Sequence, residues 1–131
     1  MKFVIGGAYQ GKLDFAKEKY AIADSDVFDC KVSSVCDDKL NIDFNLKCID
    51  NLEEFTYACV QHGIEPLDYF KAHEEEWKDS VIICDDIFCG VVPLGAELRE
   101  WRQCSGRLCK YLSQEADVVT RVFCGLEQKL K

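Results

Sequence analysis

The sequence has 131 residues, of which 48% are hydrophobic and 31% are charged, and its formal net charge at pH 7 is −8. This length suits one globular domain with its own core, so residues 1–131 are expected to form a single domain. The acidic balance excludes a general nucleic-acid binder, which needs a basic face for its phosphate contacts. No apolar run approaches the roughly 18 residues of a membrane span, and the first residues lack a signal-peptide layout. The composition therefore predicts a cytoplasmic protein without a nucleic-acid or membrane partner.

The first predicted elements are a buried strand over residues 2–5 and a helix over residues 11–21. Between them the chain matches the G-x-x-x-x-G-K part of a phosphate-binding loop. Such glycines let the backbone aim several N–H groups at a polyphosphate, and the lysine adds positive charge where the helix dipole already favours anions. We therefore expect the following residues to bind a nucleotide: Gly6, Gly7, Ala8, Tyr9, Gln10, Gly11, Lys12 and Leu13. The alternative is a glycine-rich turn without a ligand.

The middle of the chain is harder to interpret. A short strand is predicted over residues 26–32, where apolar and polar residues partly alternate. Residues 33–48 contain several turn formers, and a strand over residues 41–44 is one option. Helical spacing returns at Asn51 and stops at Gly63, and Pro66 opens a second helix, since proline is favoured in the first turn.

The last part of the chain contains two more strands and the longest helix. Residues 81–84 are continuously apolar, which is typical of a strand covered on both faces in a parallel sheet. A helix is predicted over residues 95–115 and a final strand over residues 117–124. Alternation of strands and helices predicts an α/β fold, and with the glycine-rich loop it indicates a three-layer P-loop nucleotide-binding fold with a mostly parallel sheet.

Asp85 and Asp86 follow the apolar strand directly. Ligands of parallel α/β sheets bind at the carboxyl ends of the strands, where these acids and the glycine-rich loop would meet. A phosphate cradle beside a carboxylate that holds a metal is the arrangement needed for phosphoryl transfer. The alternative is that the two acids are an ordinary solvated strand end.

Three other groups of residues leave alternatives open. The cations Arg99, Arg102, Arg107 and Lys110 surround Gly106 on the long helix, either as a solvated face with a closely packed glycine or as contacts to a nucleotide or a subunit. His62 and His73 have no motif around them and are expected to be exposed or to cap helices. The nine cysteines form no Cys-x-x-Cys pair, which favours reduced structural thiols over metal or redox use.

A family resemblance adds to these predictions. Residues 85–93, Asp-Asp-Ile-Phe-Cys-Gly-Val-Val-Pro, are similar to the Asn-Glu-Val-Gly-x-Gly-Ile-Val-Pro loop of bifunctional adenosylcobinamide kinase/adenosylcobinamide-phosphate guanylyltransferases of cobalamin biosynthesis. The family's Gly-Gly-Ala and Gly-Lys look like residues 6–8 and 11–12. Its later motifs resemble Arg99 and Arg102, Ser105-Gly106-Arg107, Ala116-Asp117-Val118-Val119, Gly125 and Lys129-Leu130-Lys131. The resemblance covers about the first 20 and the last 50 residues.

The resemblance implies a function. It implies ATP or GTP as substrate, a corrinoid partner, Mg²⁺ held by Asp85 and Asp86, catalytic roles for Lys12 and Asp86, and a homo-oligomer, a trimer in the family. The chain departs from the family at Tyr9, Gln10, Leu13 and Phe88, and Leu13 replaces the hydroxyl that binds Mg²⁺. Residues 21–50 contain no histidine for the family's nucleotidyl-histidine, and its separate acid-bearing strand is not recognisable. We therefore expect kinase-type transfer rather than guanylyl transfer; the alternative is a non-catalytic nucleotide- or corrinoid-binding relative.

Overall fold

The computed structural model describes residues 1–33, 35–36 and 39–131. Their strands are β1 (Lys2–Gly6), β2 (Val27–Asp29), β3 (Val35–Cys36), β4 (Lys39–Leu40), β5 (Cys48–Asp50), β6 (Val81–Asp85), β7 (Val118–Phe123) and β8 (Leu126–Lys129). Their helices are α1 (Lys12–Tyr20), α2 (Cys30–Ser33), α3 (Leu52–Gln61), α4 (Pro66–Ala72), α5 (Glu74–Trp77) and α6 (Ala96–Glu115). A 3-10 turn covers Asp24–Asp26.

Six strands form one sheet in the order β2-β5-β6-β1-β7-β8. All neighbours are parallel except β7 and β8, which form an antiparallel hairpin at one edge. Helices flank the sheet, so the predicted α/β class with a mostly parallel sheet is confirmed. Strand β1 lies between β6 and β7, and Gly6 is paired with Asp85. The end of β1 and the end of β6 therefore meet at the same edge of the sheet.

The core lies on both faces of the sheet. On one face Phe3 and Ile82 pack with Leu108 of α6. On the other face Val4 and Ile83 pack with Ala16 of α1. Successive residues of β1 and β6 thus point to opposite layers, which explains why residues 3–5 and 81–84 are apolar without alternation. None of the helices in the described ranges is long and apolar enough to cross a membrane.

The predicted elements with clear punctuation are confirmed. The helix α3 stops before Gly63, which has φ 66°, and α4 begins at Pro66 with Glu65 as its N-cap. The helix predicted over residues 95–115 and the strands predicted over residues 2–5 and 117–124 are present to within one or two residues.

Two expectations for the middle of the chain are wrong. The strand predicted over residues 26–32 covers only Val27–Asp29, because the chain turns into α2 at Cys30. Residues 41–44 form no strand; instead the side chains of Ile42 and Phe44 are buried and anchor an irregular segment to the core. Phe44 packs edge-on against Phe70 of α4 with the ring centroids 5.9 Å apart. Burial here comes from aromatic packing and not from strand pairing.

Gly6 and Gly106 differ in the space around them, so replacing each by alanine should change the free energy of unfolding in opposite directions. A Cβ at Gly6 would meet the carbonyl oxygen of Val122 well inside van der Waals contact, whereas a Cβ at Gly106 would meet nothing within 4 Å. The expectation that Gly106 allows close packing is therefore wrong. We predict that Gly6→Ala lowers the free energy of unfolding by about 1–3 kcal/mol through overpacking against backbone. Gly106→Ala should raise it by about 1 kcal/mol through helix propensity.

Urea unfolding followed by circular dichroism measures both changes. Equal effects of the two substitutions would contradict the close approach of β1 and β7 at Gly6.

Candidate functional site

The loop between β1 and α1 presents a row of main-chain donors. None of the N–H groups from Ala8 to Asp14 donates to an acceptor within the described residues. The backbone reaches this conformation through left-handed residues at Tyr9, φ 59°, and Gly11, φ 81°. Gly11 is the N-cap of α1 and has no side chain to satisfy the first turn. These donors lie at the positive end of the helix dipole and suit an anion.

Lys12 lies behind this loop. Its side chain is buried, with 7% of the residue exposed. The ammonium donates to the carbonyl oxygen of Gly7 at 2.7 Å and forms an ion pair with the carboxylate of Asp85. An ammonium has three N–H donors, so these two contacts leave one for a ligand. A buried charge needs such partners, because desolvation without them costs several kcal/mol, on the order of the protein's whole stability.

Gln10 fixes the loop to the hairpin at the edge of the sheet. Its side-chain oxygen accepts from the main-chain N–H of Cys124 at 2.6 Å, and its carbonyl accepts from Gly125 at 2.9 Å. The loop is therefore held at both ends, by Lys12 below and by the turn between β7 and β8 beside it. This contact gives Gln10 a structural role at a position where the resemblance implied another residue.

A cavity of about 360 Å³ opens between this loop and the start of α3. Its walls come from the loop, from the first turn of α1, and from the ends of β5 and β6. The charged side chains that line it are Lys12, Asp14, Lys31, Asp50, Glu53, Glu54 and Asp85. Carboxylates outnumber lysines, so an anion is favoured only at the loop and is opposed at the α3 side.

Two of these carboxyl groups are buried. Asp50 ends β5 and Glu53 lies in the first turn of α3, and they are 8% and 5% exposed. Burial raises the pKa of Glu53 to about 7, against a hydrogen bond from the main-chain N–H of Asp85 that opposes the rise. That hydrogen bond measures 2.9 Å to Glu53 Oε2. Burial also raises the pKa of Asp50, with a further rise from the charge of Asp29.

Glu53 is held from the other side by a buried polar network. Its carbonyl oxygen accepts from the Thr56 hydroxyl at 2.7 Å and from the Trp101 indole N–H at 2.9 Å. The Thr56 hydroxyl lies 2.6 Å from the hydroxyl of Ser105. The hydrogen bonds run from α6 through α3 to Asp85, so they connect the cavity wall to the core.

Asp86 and Leu13, the other two positions that the sequence associates with a metal, do not lie together in the cavity. Asp86 lies beside Gly7, where a Cβ would be 3.8 Å from its Oδ1, and it does not line the cavity. Leu13 lines the cavity but also packs against the core cluster on the α1 face. Within the described ranges no three His, Cys, Asp or Glu side chains are arranged to hold a metal ion. With Asp85 engaged by Lys12, these residues do not fit a metal held by the protein.

The arginines of α6 mostly bind the chain itself. Arg102 donates to the carbonyl oxygens of Phe88 at 2.8 Å and Gly90 at 3.2 Å, and also to that of Val91. Arg99 donates to Pro93 at 3.3 Å. These contacts fix the loop after β6. Neither arginine lines the cavity beside Lys12. Arg107 forms an ion pair with Glu65 at 2.6 Å, and Lys110 is exposed.

Both histidines cap helices, as expected. The Nδ1 atoms of His62 and His73 lie 2.8 Å from the carbonyl oxygens of Ala58 and Tyr69 at the ends of α3 and α4. Neither histidine lines the cavity.

The cysteines that the structure describes are free thiols, and six of them are buried: Cys30, Cys48, Cys59, Cys84, Cys104 and Cys109. Burial raises the pKa of Cys48 and of Cys59 to about 12, so both are neutral and pack as small hydrophobic groups. Cys89 and Cys124 are exposed, and the Cys36 side chain lies outside what the structure describes.

Asp50 and Glu53 are the functional candidates that the sequence did not reveal. The strand β5 is three residues long and buried throughout, so it has no alternation to detect. A separate acid-bearing strand is not recognisable in the sequence, whereas the structure contains a short strand that ends in an acid, β5 with Asp50. The sequence carries one partial signal for β5: the apolar pair Cys48 and Ile49 stands directly before Asp50 and close to the start of α3.

No family model matches the chain, and no curated protein matches it.

The raised pKa of Glu53 predicts how the free energy of unfolding depends on pH. A carboxyl whose folded pKa is raised contributes stability at low pH, and that contribution is lost as the pH rises from about 4.5 to about 7. Glu53→Gln keeps an acceptor for the Asp85 N–H but cannot ionise. We predict that the unfolding free energy of the wild type, minus that of this variant, falls by up to about 3 kcal/mol between pH 4 and pH 8.

Urea unfolding at several pH values measures this difference. Glu54→Gln, at the neighbouring half-buried position, is the matched control and should change the profile less. A pH-independent difference for Glu53→Gln would contradict the assignment of Glu53 as a buried, titrating group.

Proposed function

We propose that this chain is a nucleotide-binding protein with a P-loop fold that resembles adenosylcobinamide kinase/guanylyltransferase. Residues 6–13 would bind the phosphates of ATP or GTP. One observation carries the proposal: within the described residues the main-chain donors from Ala8 to Asp14 have no acceptor, and the same loop contains the buried Lys12, whose ammonium contacts Gly7. Within the described residues no acceptor satisfies these N–H groups, and the oxygens of a polyphosphate would satisfy several of them at once.

Binding requires little rearrangement of Lys12. Its third N–H can reach a phosphate oxygen while Gly7 and Asp85 hold the other two. The negative charge of Asp85 partly cancels that of Lys12, so Asp85 limits the affinity for a phosphate. The carboxylates along α3 then direct the phosphates to the loop and away from the rest of the cavity.

We propose kinase-type phosphoryl transfer as the reaction. In this step an acceptor hydroxyl attacks the terminal phosphorus and gives up its proton to solvent. The bond from that phosphorus to the bridging oxygen breaks, and a nucleoside diphosphate leaves. Guanylyl transfer through a nucleotidyl-histidine is less well supported, because His62 and His73 are engaged at helix ends. The acceptor by resemblance is a corrinoid. The described cavity residues do not fit a metal held by the protein, so none of them is assigned to Mg²⁺.

A second candidate is a non-catalytic nucleotide- or corrinoid-binding relative. It is favoured by Leu13, whose side chain packs against the core where a metal-binding hydroxyl is expected. Under either candidate we propose a homo-oligomer, a trimer by resemblance. The exposed apolar side chains of Val91, Val92 and Leu94 in the loop after β6 support an interface.

Lys12→Ala tests nucleotide binding. The substitution removes the only ammonium that touches the loop in the described residues, so ATP and GTP affinity should fall by tenfold or more, about 1.4 kcal/mol. Isothermal titration calorimetry with and without Mg²⁺ measures this loss. Lys17→Ala, on the same helix but outside the cavity, is the control and should bind as the wild type does.

The same titration separates the two candidate functions. Affinity that depends on Mg²⁺, together with hydrolysis of the nucleotide, supports transfer. Affinity indifferent to Mg²⁺ supports a binding protein. Unchanged affinity in Lys12→Ala would place any nucleotide site elsewhere.

Asp85→Asn tests whether the Asp85 carboxylate competes with a bound phosphate for the ammonium of Lys12. Removing this carboxylate should tighten ATP binding severalfold, because the charge of Lys12 is no longer partly cancelled. It should also destabilise the free protein, since a buried ammonium loses its counter-charge. Asp14→Asn removes the same charge from the same cavity without touching Lys12, and its effect on affinity should be smaller. Calorimetry and thermal unfolding measure both; weaker ATP binding by Asp85→Asn would contradict the competition.

A further inference from the structure

Tyr9 is the most exposed large side chain of the loop. Its ring lies fully in solvent, with a relative exposure of 103%, at the rim of the cavity that Lys12 lines. No hydrogen bond to its hydroxyl is formed within the described part of the chain. The fold therefore gains nothing from this ring.

The backbone conformation at Tyr9 is also unfavourable for the fold. Its φ of 59° is left-handed, which is unfavourable by about 1–2 kcal/mol for a residue with a Cβ. Glycine would adopt this conformation without strain, as Gly11 does two residues later at φ 81°. A strained, exposed aromatic at a cavity rim is typical of a ligand contact and not of a fold requirement.

The neighbours of Tyr9 hold it in position. Gln10 is tied to Cys124 and Gly125 by hydrogen bonds of 2.6 and 2.9 Å, and Lys12 is tied to Gly7. The ring thus projects from a loop whose two sides are anchored, which lowers the entropy cost of using it as a contact.

We propose that Tyr9 stacks on the base of the nucleotide whose phosphates the loop holds. This inference rests on the proposed nucleotide binding and names the contact for the planar part of that ligand. Among the residues that the structure describes, Tyr9 is the one aromatic side chain that lines the cavity; the others are polar or aliphatic. Stacking uses the face of the ring that every base has, so ATP and GTP should bind with similar affinity.

Calorimetry with three ligands tests the stacking: ATP, GTP and inorganic tripolyphosphate. Tyr9→Ala should weaken ATP and GTP binding about 5- to 100-fold, the range seen when a stacking aromatic is removed, and leave tripolyphosphate within twofold. Tyr9→Phe keeps the ring and should bind all three ligands as the wild type does. Tyr9→Gly relieves the backbone strain, and it should lose nucleotide affinity as Tyr9→Ala does.

The outcomes distinguish two kinds of failure. If the wild type binds none of the three ligands, the proposed nucleotide binding is wrong and the stacking falls with it. If the wild type binds ATP and Tyr9→Ala binds it equally well, the stacking is overturned and the phosphate site stands. Equal losses for ATP and tripolyphosphate would also overturn it, because they would show that Tyr9 shapes the loop and does not contact the base.

Discussion

Lys12 is a buried ammonium, and its contacts with Gly7 and Asp85 determine the arrangement around it. The contact with Gly7 curls the loop over the end of β1. The ion pair with Asp85 connects that loop to β6, the neighbouring strand. Because β1 and β6 are parallel and in register to Gly6 and Asp85, the lysine lies where both strands end. The ammonium of Lys12 thus connects the ends of β1 and β6 at the edge of the sheet where the cavity lies.

The cavity combines two opposing electrostatic regions. At the loop, N–H donors and the helix dipole favour an anion. On the opposite wall, at the end of β5 and the start of α3, the buried carboxyl groups of Asp50 and Glu53 disfavour an anion. Burial raises the pKa of both groups, and the charge of Asp50 adds to the rise for Glu53. A ligand with a compact anionic end and an uncharged body suits this division better than an anion that fills the cavity. A nucleotide of the proposed kind has its charge concentrated in this way.

The parts of the molecule predicted from sequence are those with strong local signals. Glycine spacing located the loop at Gly6 to Lys12, and Gly63 and Pro66 marked helix ends because their backbone preferences act locally. Asp50 escaped detection because β5 is too short to show a period, and Glu53 is indistinguishable in sequence from any acid in a first helical turn. Likewise, the charge of Arg102 says nothing about the carbonyl groups of the loop after β6, which only the folded path of that loop brings within reach.

The most direct test of the account is an amide NMR titration of the 15N-labelled protein with inorganic tripolyphosphate. We expect the resonances of Ala8 to Asp14 to shift together and saturably, since those N–H groups acquire an acceptor. Shifts confined to the loop after β6 and the arginines of α6, or no shifts at all, would contradict it.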